Sequence, residues 1–565
     1  MYLGTSCKSF KPGLPLTCRN YLKSAIGPGS HVALCRTQLP ISSFCEKMSD
    51  HKQDINRGAV IGLDIVLDSD ERELAKVGKK GVLRRNFAFF SILGFSCTLI
   101  ITWEGMLSVF VFGLFNGGPG GLIYGFLFVW LGYAAVVASM GELVSMWPTA
   151  GGQYHWTSRL ASERYKNVLS YVTGWQSVIA WQALCASAGY LTATAIQGVI
   201  INSQRSYVPE RWHGTLLVFA IMLLCFIFNT ILAKQLPIVE NIVLIWHVTL
   251  FIVILAVLAT LSPQKSASAD VWKLFLNEGG YESKGLSFFV GLITPVFAFS
   301  GVDGAVHMSE EIKNSSRILP WAMLGSIGVN GIMGFSMLIT ILYCIGDIEN
   351  ALNTPTGFPF IEILTQGTSS VTGGTVLSAL IVTMFAHATM NVVASTSRQL
   401  WAFSRDNAVP FASVISHIHP TMKIPLVSIC ITTTTTCLLS LINIGSATVF
   451  NAIVSLTVAG FFGSYILPFS LLLYARIYQP EKLQFGPWRL GKMGVWINGF
   501  AILFSIIVMF FSFWPTSVPV TAANMNWSCL LWGATMIFAG CFWVMHGRGV
   551  YKGPIMETGI MDAVV

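Results

Sequence analysis

The sequence predicts an all-α polytopic membrane protein of about twelve transmembrane helices, with the first and sixth broken partway across. Three observations carry that class. Hydrophobic residues make up 53% of the 565-residue chain and charged residues only 11%, too few to cover a water-facing surface of that size. Apolar runs recur at membrane-spanning length, about 20 residues of helix. Two of those runs are interrupted by a carboxylate beside glycine, at Glu104-Gly105 and at Gly301-Val302-Asp303-Gly304. Irregular backbone at that depth must line a cavity inside a protein bundle, because lipid leaves backbone polar groups unsatisfied.

Residues 1–82 are polar, punctuated by Gly and Pro and without a sustained apolar period, so they read as a disordered tail. They show no signal peptide. Cys7, Cys18, Cys35 and Cys45 lie too far apart, and too far from a histidine pair, for a zinc site, and are read as free thiols. Residues 83–545 form the twelve-helix domain. Its spans fall at about 88–114, 120–146, 168–200, 214–233, 239–262, 286–308, 321–345, 373–404, 425–443, 447–472, 494–514 and 525–545, and residues 546–565 form a C-terminal tail. With the N-terminus cytoplasmic, nineteen Lys and Arg fall at the inner ends and five at the outer, so both termini are expected in the cytoplasm. The net charge of +8 is scattered among those loops and forms no nucleic-acid patch.

The break in the first span is centred on Thr102-Trp103-Glu104-Gly105, and that in the sixth on Phe297, Phe299, Ser300, Gly301 and Asp303. Broken helices expose free N–H and C=O groups and half-helix dipole ends near the midplane, where secondary transporters hold substrate. Paired breaks in two halves make these residues, with Trp181 and Asn391, the candidate substrate site. A carboxylate at Glu104 would repel an anionic solute and favours a cationic or amine-bearing one; aromatic faces suit a quaternary ammonium. The alternative for each carboxylate is a helix cap, and for each ring plain packing.

Helical spacing puts Asp303, His307, Glu310 and Glu311 on one face. With His247 and His387 they are candidates for moving a coupling proton, since imidazole titrates near neutrality. Ser395 and Thr396 are further coupling-ion candidates, or else satisfy a neighbouring helix. Gly117-Gly118-Pro119-Gly120-Gly121 lacks the Lys-Ser/Thr of a phosphate loop and reads as a turn. His417-Ile418-His419 stands without histidine boxes or a triad, so no enzyme, cofactor or metal site is expected.

Three stretches carry a family resemblance: Gly141-Glu142-Leu143 with Pro148-Thr149-Ala150-Gly151-Gly152-Gln153-Tyr154-His155-Trp156 after the second span, the sixth-span break from Phe297 to Pro320, and Ser395 to Asp406. The chain resembles the amino acid/polyamine/organocation permeases, most closely the fungal branch that includes choline and GABA permeases. The resemblance implies a five-plus-five inverted-repeat core with two additional helices, working by alternating access, with Phe297 closing over the substrate and Asp303 near it. Trp103-Glu104 replaces the glycine-rich first-helix signature of that family. The expected function is secondary active import of a small amine-bearing solute, choline, GABA or a related amino acid, across the plasma membrane with protons as the coupling ion. A broad amino acid or polyamine permease is the alternative, and a non-transporting nutrient sensor on a permease scaffold is the alternative class.

Overall fold

The computed structural model describes residues 69–204, 206–442, 449–522 and 524–557, all within one compact unit, Val66–Val565. The four tail cysteines and most of the expected N-terminal tail lie outside the described residues, as does the end of the C-terminal one. The protein is an all-α polytopic membrane protein. Among the described residues ten helices are long and apolar enough to cross a bilayer, and two shorter apolar helices, Lys284–Ala298 and Leu426–Ser440, stand at the expected sixth and ninth positions.

The first helix runs Phe89–Ile100 and resumes as Thr102–Ser108 and Phe110–Phe115. The second, Gly118–Met146, starts with Pro119 in its first turn, where a missing N–H costs nothing. A short helix, Gln153–Leu160, separates it from the third, Lys166–Ser203. The fourth and fifth are Arg211–Thr230 and Leu236–Leu261. The sixth is built from Lys284–Gly291 and Ile293–Ala298, then a break, then the single turn Gly304–His307 and a 3-10 turn, Ser309–Glu311. The seventh is Ser315–Tyr343, the eighth Val371–Arg405, the tenth Val449–Tyr478 and the eleventh Gly494–Ser512. The twelfth, Ser528–Phe542, continues through a π turn to Val550.

The third helix packs on the eighth and tenth, and the seventh on the first and second, so the two broken helices are enclosed by long unbroken ones. Isolated bridges, Phe87 with Ile312 and Asn116 with Asn277, join the first and sixth helices' segments at both ends.

Two expectations are corrected at the ends of the domain. The unstructured tail does not run to residue 82: Ser69–Lys76 is a helix, Leu74 and Val77 are buried, and Asp70 accepts from the Asn314 backbone and pairs with Arg85. The tail expected from residue 546 is likewise ordered at its start. Tyr551 is fully buried with its hydroxyl 2.9 Å from that of Ser170, and the Glu557 backbone donates to the Gly78 carbonyl. Short polar stretches without apolar period looked loose in sequence; their order comes from pairing with residues hundreds of positions away.

Candidate functional site

The first helix breaks at Ile101, held in the left-handed region at φ 35° and ψ 53°. A β-branched residue there is strained, so something must hold it. Asn330 of the seventh helix does so: its Oδ1 accepts from the Thr102 N–H at 3.2 Å, and its Nδ2 donates to the Cys97 carbonyl at 3.3 Å. The sixth helix breaks over Phe299–Asp303, with Gly301 at φ 88° and Leu99 packed where a β-carbon would stand. Glycine is required there both for the conformation and for the close approach of the two breaks.

A cavity of about 50 Å³ sits where the breaks meet, walled by Ile101, Gly105, Phe297, Ser300, Phe385 and Thr389 among others. Among the described residues no charged side chain lines it. The C-terminal ends of Phe89–Ile100 and of Ile293–Ala298 terminate at this wall, where Thr102–Ser108 also starts. A larger cavity of about 300 Å³, reaching Pro209 and Thr356–Phe358 in the loops after the third and seventh helices, shares Leu191 with it.

Of the expected substrate residues, Gly105, Phe297 and Ser300 line the cavity. The others lie behind it. Glu104 is fully buried and meets His247 of the fifth helix, Oε1 to Nδ1 2.7 Å; Trp103 stacks on that imidazole. Thr102 spends its N–H on Asn330. Phe299 packs against Phe126 and Tyr133. Asn391 donates to Thr98 Oγ1 and to Glu240, away from the wall.

Asp303 gathers four donors or near neighbours from separate elements: Gln153 Nε2 at 2.6 Å, Tyr465 OH at 2.9 Å, Trp181 Nε1 at 3.3 Å and His307 Nε2 at 3.4 Å. His307 Nδ1 lies 2.8 Å from the Ala150 carbonyl, which requires a proton on Nδ1. Its other nitrogen, Nε2, therefore faces Asp303.

Glu310 and Glu311 do not continue the Asp303–His307 face, because α-helix stops at His307 and the 3-10 turn swings both carboxylates toward the eighth helix. Arg405 grips Glu310 with two N–H groups, at 2.7 and 3.0 Å, and Arg398 Nε meets Glu311 at 2.9 Å. Burial acts to raise the Glu310 pKa, but Arg405, helped by Lys79 and the Ala150 N–H, outweighs it and holds the carboxyl below its ordinary value. Next to them Lys79 reaches Asp406 at 2.5 Å, and Tyr154 OH and the Ile555 N–H donate to the same carboxylate. This network closes the end of the bundle where both ends of the described chain meet. Ser395 Oγ donates to the Gly304 carbonyl and Thr396 Oγ1 to the Val392 and Trp181 carbonyls, so both tie helices together in this conformation.

Sequence reasoning missed Asn330, Gln153 and Glu240. Glu240 was legible as a carboxylate inside the fifth apolar run, and Gln153 stood inside a stretch read only as a family signature. For Asn330 the signal was one amide in an apolar span, which pairing in space alone makes meaningful.

Two broken helices abut at a cavity inside a bundle of bilayer-length helices, with buried ion pairs at one end of the bundle, and with the comparisons that follow this defines a membrane transporter. The chain matches the family described as amino acid permease over residues 87–535, and it belongs to that family. It is 31% identical over 442 residues to a putative amino acid/polyamine transporter of Macrophomina phaseolina, covering 77% of this chain and 96% of that one. It is 29% identical over 503 residues to the choline transporter of Saccharomyces cerevisiae, 88% of each chain. Amino-acid permease 2 of Neurospora crassa is 27% identical over 501 residues, 87% of this chain and 90% of the relative.

Proposed function

We propose that this permease imports a small amine-bearing solute, choline or GABA ahead of neutral amino acids, across the plasma membrane by proton-coupled alternating access. The observation that carries the reading is the central cavity: uncharged and flanked by the rings of Phe297 and Phe385. Phenyl faces attract an ammonium group by about 0.5–2 kcal/mol. Gly105, Phe297 and Ser300, with Thr192 and Thr389, are the contacts this reading assigns to substrate. Glu104 enters it from behind the cavity, as a group bonded to His247.

The same reading makes the sealed end, with Lys79, Asp406, Glu310 and Arg405, the cytoplasmic one, so both termini are cytoplasmic. The described conformation is then closed inward, with the larger cavity as its outer vestibule. Coupling to protons rests on three buried carboxylate–imidazole pairs, Glu104–His247, Asp303–His307 and Glu240–His387. The choline transporter and the amino acid permeases among the relatives support this substrate range and leave a broad amino acid or polyamine permease as the second reading. The test is uptake of labelled choline, GABA, neutral and acidic amino acids by the purified protein in vesicles under an imposed pH gradient. Uptake of choline or GABA abolished by a proton ionophore is expected. Uptake of acidic solutes alone would remove the substrate reading, a strict Na⁺ requirement would remove proton coupling, and binding without flux would make the protein a sensor.

A further inference from the structure

A third cavity, of about 120 Å³, lies at the other end of the bundle from the Lys79–Asp406 network. Phe112 and Asn116, where the first helix ends, form one side of it, with Ile293 of the sixth helix and Ser455 of the tenth. The end of the eleventh helix and the loop after it form the other side, and Phe112 also lines the cavity of about 300 Å³. That loop is fastened to three helices or their flanking segments. Asn116 Nδ2 donates to the Thr516 carbonyl at 2.8 Å while its Oδ1 accepts from Ser287 Oγ of the sixth helix at 3.0 Å. The Val518 N–H donates to the Gly279 carbonyl at 2.8 Å. Asn526 Nδ2 donates to Ser455 Oγ at 3.1 Å and to the Ser512 and Trp514 carbonyls at 2.8 and 2.9 Å.

Three aromatic rings, Phe112, Phe511 and Trp514, line this cavity, the last two with centroids 5.5 Å apart and planes tilted by 39°. Among the described residues no charged side chain lines it. A carboxylate would meet no cation there, and the amide nitrogens of Asn116 and Asn526 are already turned to loop oxygens. A quaternary ammonium asks for no hydrogen bond and is held by aromatic faces. A cavity of about 150 Å³ admits benzene, so one of about 120 Å³ takes about five heavy atoms, the size of tetramethylammonium. We propose that this cavity is a second binding site, for a quaternary ammonium group, from which the ligand slows transport without entering the central cavity. A ligand that fits this arrangement of the first, sixth, tenth and eleventh helices better than a rearranged one holds the population in it. The choice of ligand is argued from this wall alone; its effect on rate rests on the alternating-access reading above, in which the ends of the broken helices on this side move relative to the rest of the bundle.

The test has two readouts on the full-length protein: equilibrium binding of labelled tetramethylammonium, and its effect on uptake of labelled GABA in vesicles. Tetramethylammonium is expected to lower the maximal rate of GABA uptake and leave its half-saturating concentration unchanged. Trp514→Ala should weaken that effect by about 2- to 30-fold, the value of one cation–π contact, and Phe297→Ala should not. Ser455→Phe, whose ring occupies the cavity, should abolish it and serves if Trp514→Ala fails to fold. Inhibition that only raises the half-saturating concentration, or binding that neither Trp514→Ala nor Ser455→Phe changes, overturns the site. Binding that depends on Trp514 in a wild type that transports no GABA supports the site and removes GABA from the proposed substrates instead.

Discussion

Asn330→Leu tests whether the first-helix break, rather than the carboxylate beside it, sets the cavity's shape. The substitution keeps side-chain size but removes both hydrogen bonds across the break. Thr102 N–H would then be buried without an acceptor, at about 1–3 kcal/mol, whereas the Cys97 carbonyl retains the Ile101 N–H at 3.0 Å and loses only one of its two donors, about 0.5–1.5 kcal/mol. The sum, about 1.5–4.5 kcal/mol, falls on the conformation that places Ile101 and Gly105 on the wall. It corresponds to a roughly tenfold to thousandfold smaller population of that state relative to an unbent one. The assay is half-saturating solute concentration for uptake, alongside the thermal midpoint of the purified protein. Asn498→Leu is the control: that side chain is equally buried and bonded to Ser139 and Arg476, but far from the cavity. It should lower the midpoint without raising the half-saturating concentration. A folded Asn330→Leu protein with unchanged half-saturation, or one no different from the control, refutes the argument.

Phe297→Ala should weaken choline by about 2- to 30-fold, the value of one cation–π contact, and neutral amino acids less; equal losses for both in half-saturation measurements would count against an ammonium over that ring. Glu104→Gln should change half-saturation by less than about tenfold, because the side chain stands behind the cavity and its amide can still bond His247; a collapse of binding with normal surface delivery would restore it as the direct counter-charge. Arg405→Gln leaves Glu310 buried and unpaired, about 3–5 kcal/mol against the sealed conformation, and should raise modification of a cysteine placed at Ser309 by a membrane-impermeant thiol reagent from the terminal side; unchanged labelling would remove Arg405 from the seal. Glu310 is held below its ordinary pKa, so its contribution is present above the unfolded carboxyl value and is lost only as pH falls through the lower folded one. His155, driven well below the ordinary histidine value by burial and by Arg159, Lys79 and Arg405, stays neutral over the same range. Uptake of the Glu310→Gln variant, corrected for surface amount, should therefore keep the wild-type pH profile between about pH 5 and 8, and a shifted profile would show that the seal titrates there.

The helix count and both breaks were legible because they depend on local properties: run length, glycine, and a carboxylate where lipid forbids one. The site was legible only as a neighbourhood. Glu104 and Asp303 marked where the two helices break, yet which way each faces is decided by His247 and by Gln153 and Tyr465, partners from other elements that a linear reading cannot rank. Helical periodicity failed at Glu310 and Glu311 for a local reason, since the α-helix ends at His307 and the spacing rule ends with it. The ordered segments at 69–82 and 551–557 were missed because short polar stretches owe their structure to distant carboxylates such as Asp406.

The pairing of Glu104 with His247 also has a consequence for biosynthesis. The two residues are 143 positions apart in the chain. At about 5–20 residues added per second, some 7 to 29 s separate the emergence of the acid from that of its imidazole. Throughout that interval the first helix has a carboxylate in its apolar stretch and no partner on any helix yet made. An unpaired carboxylate at mid-helix costs about 2.5–3.5 kcal/mol on insertion, and the first helix carries that penalty until the fifth helix arrives. The carboxylate at the break thus leaves the first helix less stably inserted until a residue not yet synthesised arrives, and a ribosome pause between residues 104 and 247 would lengthen that interval.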